Sequence, residues 1–114
     1  MPKDTSDILG YHAHVYFDEA SSEAARSLRE TIEQTFDIEM GRFHEKPVGP
    51  HPRYSYQVAF TPEKFGEIIP WLALNRGELT VFVHAETGDA LADHTQNVIW
   101  LGPSEDLKVS MFET

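Results

Sequence analysis

Tyr-His-Ala-His-Val-Tyr-Phe, at residues 11–17, is the stretch from which the fold can be inferred. Its aromatic residues and its valine favour a β-strand. Strand alternation places His12, His14 and Tyr16 on one face, and the intervening apolar residues on the other. We expect the apolar face to pack against helices, which leaves the histidines on the opposite side of the sheet.

The segments on either side of this strand give the order βαββαβ. We predict helices over 20–36 and from Pro62 to about Asn75, and further strands over 38–44, 54–60, 79–85 and, after an irregular stretch or short helix, 107–112. Residues 45–53 hold three prolines and a glycine, so they form a loop. This order predicts an α+β, ferredoxin-like fold with a short C-terminal extension. Its sheet is antiparallel, its first strand lies between the third and fourth, and two helices cover one face.

The length of 114 residues predicts one domain, which we place at 10–114 after a flexible tail at 1–9. Nine Lys and Arg against nineteen Asp and Glu give a net charge of −10, which argues against binding to nucleic acid or to anionic membranes. The chain has no cysteine, which excludes disulfides, thiolate metal sites and cysteine nucleophiles. No apolar run is long enough to span a membrane or to form a signal peptide core, so we expect a cytoplasmic protein.

Six histidines are the most informative polar residues. If the fourth strand lies antiparallel to the first, His84 comes opposite His12 or His14. Three imidazoles on two adjacent strands would form a metal site that suits Zn or Fe. The alternative is that these histidines are only polar residues on an exposed sheet face.

The other three histidines differ in their surroundings. His51 lies between Pro50 and Pro52, whose rings stiffen the backbone and suit a pre-positioned catalytic group; a rigid connection carrying a solvated histidine is the alternative. His94 is predicted to be a catalytic proton carrier, a fourth ligand or a surface residue, and its position does not choose among them. His44, at the end of a predicted strand, is predicted to have no role in the chemistry.

Two arginines are candidate substrate-binding residues, because the guanidinium fork matches a carboxylate. Arg53 is the last residue of the proline-rich loop at 45–53. Arg76 lies at a predicted helix C-terminus, where complementation of the helix dipole would explain it equally well.

One face of the predicted sheet carries no helices, and Phe82 is predicted to point toward it. An exposed apolar face of this kind usually marks an interface. We therefore expect a homodimer or a higher homo-oligomer.

Over about residues 10–113 the chain resembles the DOPA 4,5-dioxygenase family. The resemblance is carried by Tyr-His-Ala-His-Val-Tyr-Phe (11–17), Pro-Val-Gly-Pro-His-Pro (47–52), Pro-Trp-Leu (70–72), Arg-Gly-Glu-Leu-Thr-Val-Phe-Val-His (76–84), Thr-Gly-Asp (87–89), Asp-His-Thr (93–95) and Trp-Leu-Gly (100–102). It implies extradiol cleavage of DOPA or a similar small catechol by dioxygen, at a mononuclear non-haem Fe(II). The family's histidine positions match His12, His14, His51, His84 and His94.

The resemblance leaves two questions open. The common oxygenase site has two histidines and one carboxylate, which Glu86 or Asp93 could supply here, and an all-histidine site would also accept Zn. The second question is activity: a non-catalytic metal- or small-molecule-binding domain of the same fold, or a structural oligomer with histidines at its interface, would fit the same residues.

Overall fold

The computed structural model describes residues 2–113, which form five strands and three α-helices. In chain order these are β1 (Gly10–Phe17), α1 (Ser22–Thr35), β2 (Glu39–Met40), β3 (Tyr54–Phe60), α2 (Phe65–Asn75), β4 (Thr80–Glu86), α3 (Ala90–Thr95) and β5 (Val98–Leu101). The strands form one antiparallel sheet in the order β2-β3-β1-β4-β5. The predicted α+β, ferredoxin-like fold with a central first strand is confirmed.

The register of β1 confirms the predicted division of the sheet into two faces. Ala13 pairs with Val58 on one side and with Val83 on the other, and all three are buried in the core beneath α1 and α2. On the opposite face His12 pairs with His84. We call this second side the histidine face.

The predicted helix from Pro62 to about Asn75 is present, with a distinct turn at each end. Thr61 precedes a short 3-10 turn, Pro62–Lys64, that continues directly into α2. The helix ends at Asn75, and Gly77 adopts a positive φ of 60° that residues with a side chain rarely reach.

The second predicted strand is shorter than expected. Regular pairing in the 38–44 segment is confined to Glu39–Met40, and His44 then makes an isolated bridge to Ser55. An irregular edge segment therefore lies between β2 and the proline-rich loop, 45–53.

The prediction of a last strand at 107–112 is wrong. The fifth strand is Val98–Leu101, which pairs with β4, and the later segment ends in a 3-10 turn, Ser110–Phe112. The physical reason is the length of the connection: α3 is short, so the chain returns to the edge of β4 at once. Gly102 then takes a positive φ of 97° and ends the strand.

The histidine face is covered by the chain itself. Residues 102–113, which we call the C-terminal strap, meet the proline-rich loop where the Lys108 N–H donates to the Pro50 carbonyl over 2.8 Å. Phe82 is fully buried, with its ring 4.6 Å from that of Trp100 between centroids. Phe82 thus offers no exposed patch to a second subunit, and the homo-oligomer stays a prediction. Among residues 2–113 no helix combines the length and apolarity of a membrane span.

Asp93 joins α3 to the end of β4, and its carboxylate should contribute to stability. The carboxylate accepts from the N–H and the hydroxyl of Thr87, both over 2.7 Å, and from the Asn97 side-chain amide over 2.9 Å. Burial opposes ionisation of this group, but the hydrogen bonds outweigh it and lower the pKa of Asp93 below its ordinary value.

We expect Asp93→Asn to lower the free energy of unfolding by about 1–3 kcal/mol at pH 7, measured by urea denaturation. Because the folded pKa is depressed, this stabilisation is complete above the unfolded value of about 3.9 and disappears as the pH falls through the folded value. The difference between wild type and variant should therefore shrink toward pH 3. Asp106→Asn, at an exposed carboxylate, is the matched control. An equal loss at both pH values would contradict the assignment.

Candidate active site

Three histidines of the central strands converge on the histidine face. Each of His12, His14 and His84 offers one ring nitrogen, and these atoms all lie within 4.8 Å of one another. The Nε2 atoms of His14 and His84 are 3.0 Å apart. The cluster follows from the antiparallel register, since His12 stands directly opposite His84 and His14 lies two residues further along the same face of β1.

The neighbours of His84 and His12 determine which ring nitrogen carries the proton. Nδ1 of His84 lies 3.1 Å from the Ala85 carbonyl, which can only accept, so Nδ1 is the protonated atom. Nδ1 of His12 lies 2.7 Å from Oε1 of Glu86, and the same reasoning applies to that carboxylate. The neutral form of each ring therefore has an unprotonated Nε2, the state required of a metal ligand.

Burial keeps the cluster uncharged at neutral pH. It lowers the pKa of His84 to about 4, and neighbouring histidines contribute to the shift. Burial and the adjacent imidazoles likewise hold the pKa of His14 well below its ordinary value. The pKa of His12 is lowered by burial too, although Glu86 partly opposes the change. Neutral imidazoles are the form that binds metal, so protons do not compete with an ion at pH 7.

The donor set fits a divalent transition metal. The two Nε2 atoms, 3.0 Å apart, are close enough for both to reach one ion at a ligand distance of about 2.1 Å. Imidazole ligands suit Fe, Zn, Cu and Ni. Within residues 2–113 this set contains no carboxylate: Glu86 bonds to the His12 ring, and Asp93 is bonded to Thr87 and Asn97.

His51 lies against the cluster, where the proline-rich loop crosses the histidine face. Its ring is 4.2 Å from that of His14 between centroids, and it is buried. Its Nδ1 is 2.7 Å from the hydroxyl of Tyr16. Burial raises the pKa of Tyr16 far above its ordinary value, so the phenol keeps its own proton and its oxygen can accept from Nδ1–H of His51. In that tautomer Nε2 is the basic nitrogen of neutral His51, and burial lowers the pKa of this imidazole to about 4.

His94 lies on the other side of the cluster. Its ring is 4.2 Å from that of His84 and 4.4 Å from that of Phe112 in the C-terminal strap, between centroids. Its Nδ1–H donates to the Ala90 carbonyl over 2.7 Å, which fixes the ring and leaves Nε2 as an acceptor. The structure thus brings all five histidines singled out for chemistry to one region.

The two candidate substrate-binding arginines are placed differently. Arg53 lies beside the site but forms a two-pronged contact with Glu105 of the strap, at 3.0 Å from Nε and 2.8 Å from Nη2. Arg76 donates to the Leu79 carbonyl over 2.9 Å, just before Thr80 at the start of β4. Four residues of strand, about 13 Å, separate Thr80 from His84. The structure therefore does not bring Arg76 to the cluster.

Sequence reasoning missed the partners that hold the catalytic candidates. The alternation of His12, His14 and Tyr16 predicted the face on which Tyr16 lies. That alternation could also have predicted that Tyr16 contacts the site. No comparable signal exists for Glu105 or Phe112. They reach Arg53 and His94 from a segment whose path depends on the completed sheet.

Comparison with known proteins assigns the chain to a family. The sequence model of the Dopa 4,5-dioxygenase family matches residues 11–111 of this chain. The chain belongs to that family. Family membership supports an oxygenase, which takes dioxygen together with an organic substrate.

Two curated proteins and a solved structure resemble the chain over most of its length. It is 32% identical to DOPA 4,5-dioxygenase from Amanita muscaria, over 92% of this chain and 50% of that one. It is 38% identical to an uncharacterised 21.2 kDa protein from Botryotinia fuckeliana, over 96% of this chain and 67% of that one. The chain thus spans only about half the length of the Amanita enzyme. A crystal structure from Nostoc punctiforme, provisionally described as that of a dioxygenase, is 48% identical with a TM-score of 0.94, over 97% and 96% of the two chains.

The histidine cluster predicts that metal-free protein takes up one equivalent of a divalent ion such as Fe(II) or Zn(II). Metal analysis after desalting should show that His14→Ala/His84→Ala retains none, because two of the three converging nitrogens are gone. His44→Ala, outside the cluster, should retain the full equivalent. Circular dichroism would check that each variant is folded. Stoichiometric metal in the folded double variant would contradict the assignment.

Proposed function

We propose that this protein is an extradiol dioxygenase that cleaves the ring of DOPA or a similar small catechol and uses a mononuclear non-haem Fe(II). The observation that carries the proposal is the convergence of three neutral imidazoles beside the buried His51–Tyr16 pair. A metal site alone would suit many proteins; a proton-carrying group in contact with it is what ring cleavage additionally requires. Membership of the Dopa 4,5-dioxygenase family supports the same conclusion.

His12, His14 and His84 would hold the ion. When bound there, Fe(II) would supply Lewis acidity toward the catechol and the redox chemistry that permits the otherwise spin-forbidden reaction of the ring with dioxygen. The contribution of the protein is to hold the imidazoles in the neutral state and in fixed orientations, through Ala85 and Glu86.

His51 is suited to carry the proton that a catechol loses when it binds. At pH 7 the imidazole is neutral, because burial lowers its pKa to about 4. A catecholate nearby would favour the protonated form and raise that pKa toward neutrality. His51 can then accept a proton and later return it to the ring-opened product, while Tyr16 holds the ring through Nδ1.

The surroundings of His14 and His84 exclude water, which would otherwise weaken the electrostatic contacts of these two rings. Phe82 and Trp100 form an apolar layer next to His14 and His84. Phe112 of the C-terminal strap covers His94. The face that a ferredoxin-like sheet leaves without helices is thus enclosed by the chain's own loops.

The direct test is anaerobic loading with Fe(II), followed by addition of a catechol panel in air. We expect the absorbance of a ring-opened semialdehyde to appear with DOPA or a close analogue. Protein loaded with Zn(II) should bind metal but give no product, because zinc has no redox chemistry. Stoichiometric iron without turnover of any catechol would contradict the proposal and favour a non-catalytic metal- or small-molecule-binding domain.

A second test separates metal ligation from proton transfer. His51→Ala should keep its iron and bind catechol, but turn over about 10²–10⁴-fold more slowly. Tyr16→Phe removes only the hydroxyl that holds the His51 ring, so we expect a smaller loss in the same direction. Loss of iron from His51→Ala would make His51 a ligand. Unchanged turnover would make it part of a rigid loop, and His94 would be tested next.

A further inference from the structure

We propose that a cavity between the edge of the sheet and the proline-rich loop binds the carboxylate of the substrate's side chain, with Arg42 as the cation that pairs with it. This inference rests on the proposed function. Within that function it states which cavity takes the carboxylate on the short tail of the catechol. It also identifies Arg42 as a residue that determines specificity.

The cavity shares two lining residues with the candidate active site. Its volume is about 260 Å³, and its walls include His14 of the cluster and the catalytic candidate His51. Pockets for drug-sized ligands occupy roughly 300–1,000 Å³, so this one suits a single small ring or its tail. Ser55 and Gln57 of β3 also line it, and their hydroxyl and amide groups are suited to hydrogen-bond a polar substituent.

Arg42 reaches the cavity because the edge segment bulges. The Gly41 N–H donates to the Gln57 carbonyl over 2.7 Å, and His44 makes the next bridge, to Ser55. Residues 42 and 43 therefore both lie opposite residue 56 of β3, which makes this segment a β-bulge. An extra residue of this kind bends the strand and redirects side chains.

The bulge separates the directions of Arg42 and Phe43. The Phe43 ring stacks on Phe17 at 4.5 Å between centroids, on the helix-covered side of the sheet. Gly41, Arg42 and His44 all line the cavity on the other side. In a regular strand successive residues alternate between the two faces, so Gly41 would lie on the opposite face from Arg42 and His44. The bulge allows all three to line the same cavity.

Arg42 is the arginine near the site whose charge is available. It is exposed, and among residues 2–113 no carboxylate lies within 4 Å of its guanidinium. It is also the one arginine or lysine among the described residues that line the cavity. Because the chain carries a net charge of −10, an anionic substrate needs such a local cation to offset the general repulsion.

Arg53 does not offer the same opportunity. Its guanidinium fork is already filled by Glu105, through two parallel contacts of 3.0 and 2.8 Å. A substrate carboxylate would have to displace that side chain and leave Glu105 without its partner. The geometry therefore favours Arg42 as the residue that binds the carboxylate. Arg53, the candidate suggested by the sequence, is already paired.

The experiment compares two catechols that differ in the tail. Binding of 3-(3,4-dihydroxyphenyl)propanoate and of 4-methylcatechol to the Fe(II) protein is measured by anaerobic calorimetry. Arg42→Ala should weaken binding of the acid about tenfold, as expected for loss of one charge-assisted contact, and leave 4-methylcatechol unchanged. Arg42→Lys should restore part of the difference, because it keeps the charge but loses the fork.

Arg26→Ala is the matched control. Arg26 is also exposed, but it pairs with Glu45 and packs over Phe43, away from the cavity. This variant should bind both catechols as the wild type does. An equal weakening of both catechols by Arg42→Ala, or no weakening of the acid, would overturn the assignment of Arg42.

The outcomes distinguish failure of the subsite from failure of the proposed function. A wild type that binds 4-methylcatechol as tightly as the acid overturns the subsite alone. A wild type that binds neither catechol overturns the proposed function. In that case the subsite is judged by calorimetry with 3-phenylpropanoate, which has no catechol oxygens. Weaker binding by Arg42→Ala than by the wild type would support the subsite, and equal or absent binding would overturn it.

Discussion

The antiparallel register between β1 and β4 is the constraint on which the rest of the site depends. It sets His12 opposite His84 and brings Nε2 of His14 within 3.0 Å of Nε2 of His84. A slip of one residue would turn every side chain of β1 to the other face of the sheet. Such a slip would also place imidazoles in the apolar core and Ala13 and Val15 against the proline-rich loop. The packing of α1 and α2 on the apolar face therefore holds the candidate metal ligands in position from the far side of the sheet.

Burial of so many imidazoles has an electrostatic consequence. Each ring must be neutral, and each needs a partner for its protonated nitrogen. The chain supplies the Ala85 carbonyl, the Glu86 carboxylate, the Ala90 carbonyl and the Tyr16 hydroxyl as those partners. The same contacts that make burial tolerable also fix which nitrogens face inward. Stability and readiness for metal thus have a common physical origin.

Segments without regular structure complete the site. The proline-rich loop delivers His51, the bulged edge delivers Arg42, and the C-terminal strap delivers Phe112 and Glu105. These are the parts of the chain that can change without altering the sheet. In this fold the strands carry the candidate metal ligands, while the loops surround the space in which a substrate would lie. Such a division allows the shape and charge of that space to vary independently of the histidine cluster.

Local patterning was sufficient for the order of the elements, the central position of the first strand and the face on which His12, His14 and His84 meet. Those features follow from the side-chain period within each strand and from the sheet topology that the order βαββαβ implies. The tertiary structure alone decided the fifth strand at Val98–Leu101, the bulge that places Arg42 at the cavity and the pairing of Arg53 with Glu105. Sequence separation does not distinguish these features, since Arg53 and Glu105 are 52 residues apart and the predicted pair His14 and His84 is 70 apart. The three features that the tertiary structure decided depend on how loops close over a finished sheet, and no local pattern of residues specifies them.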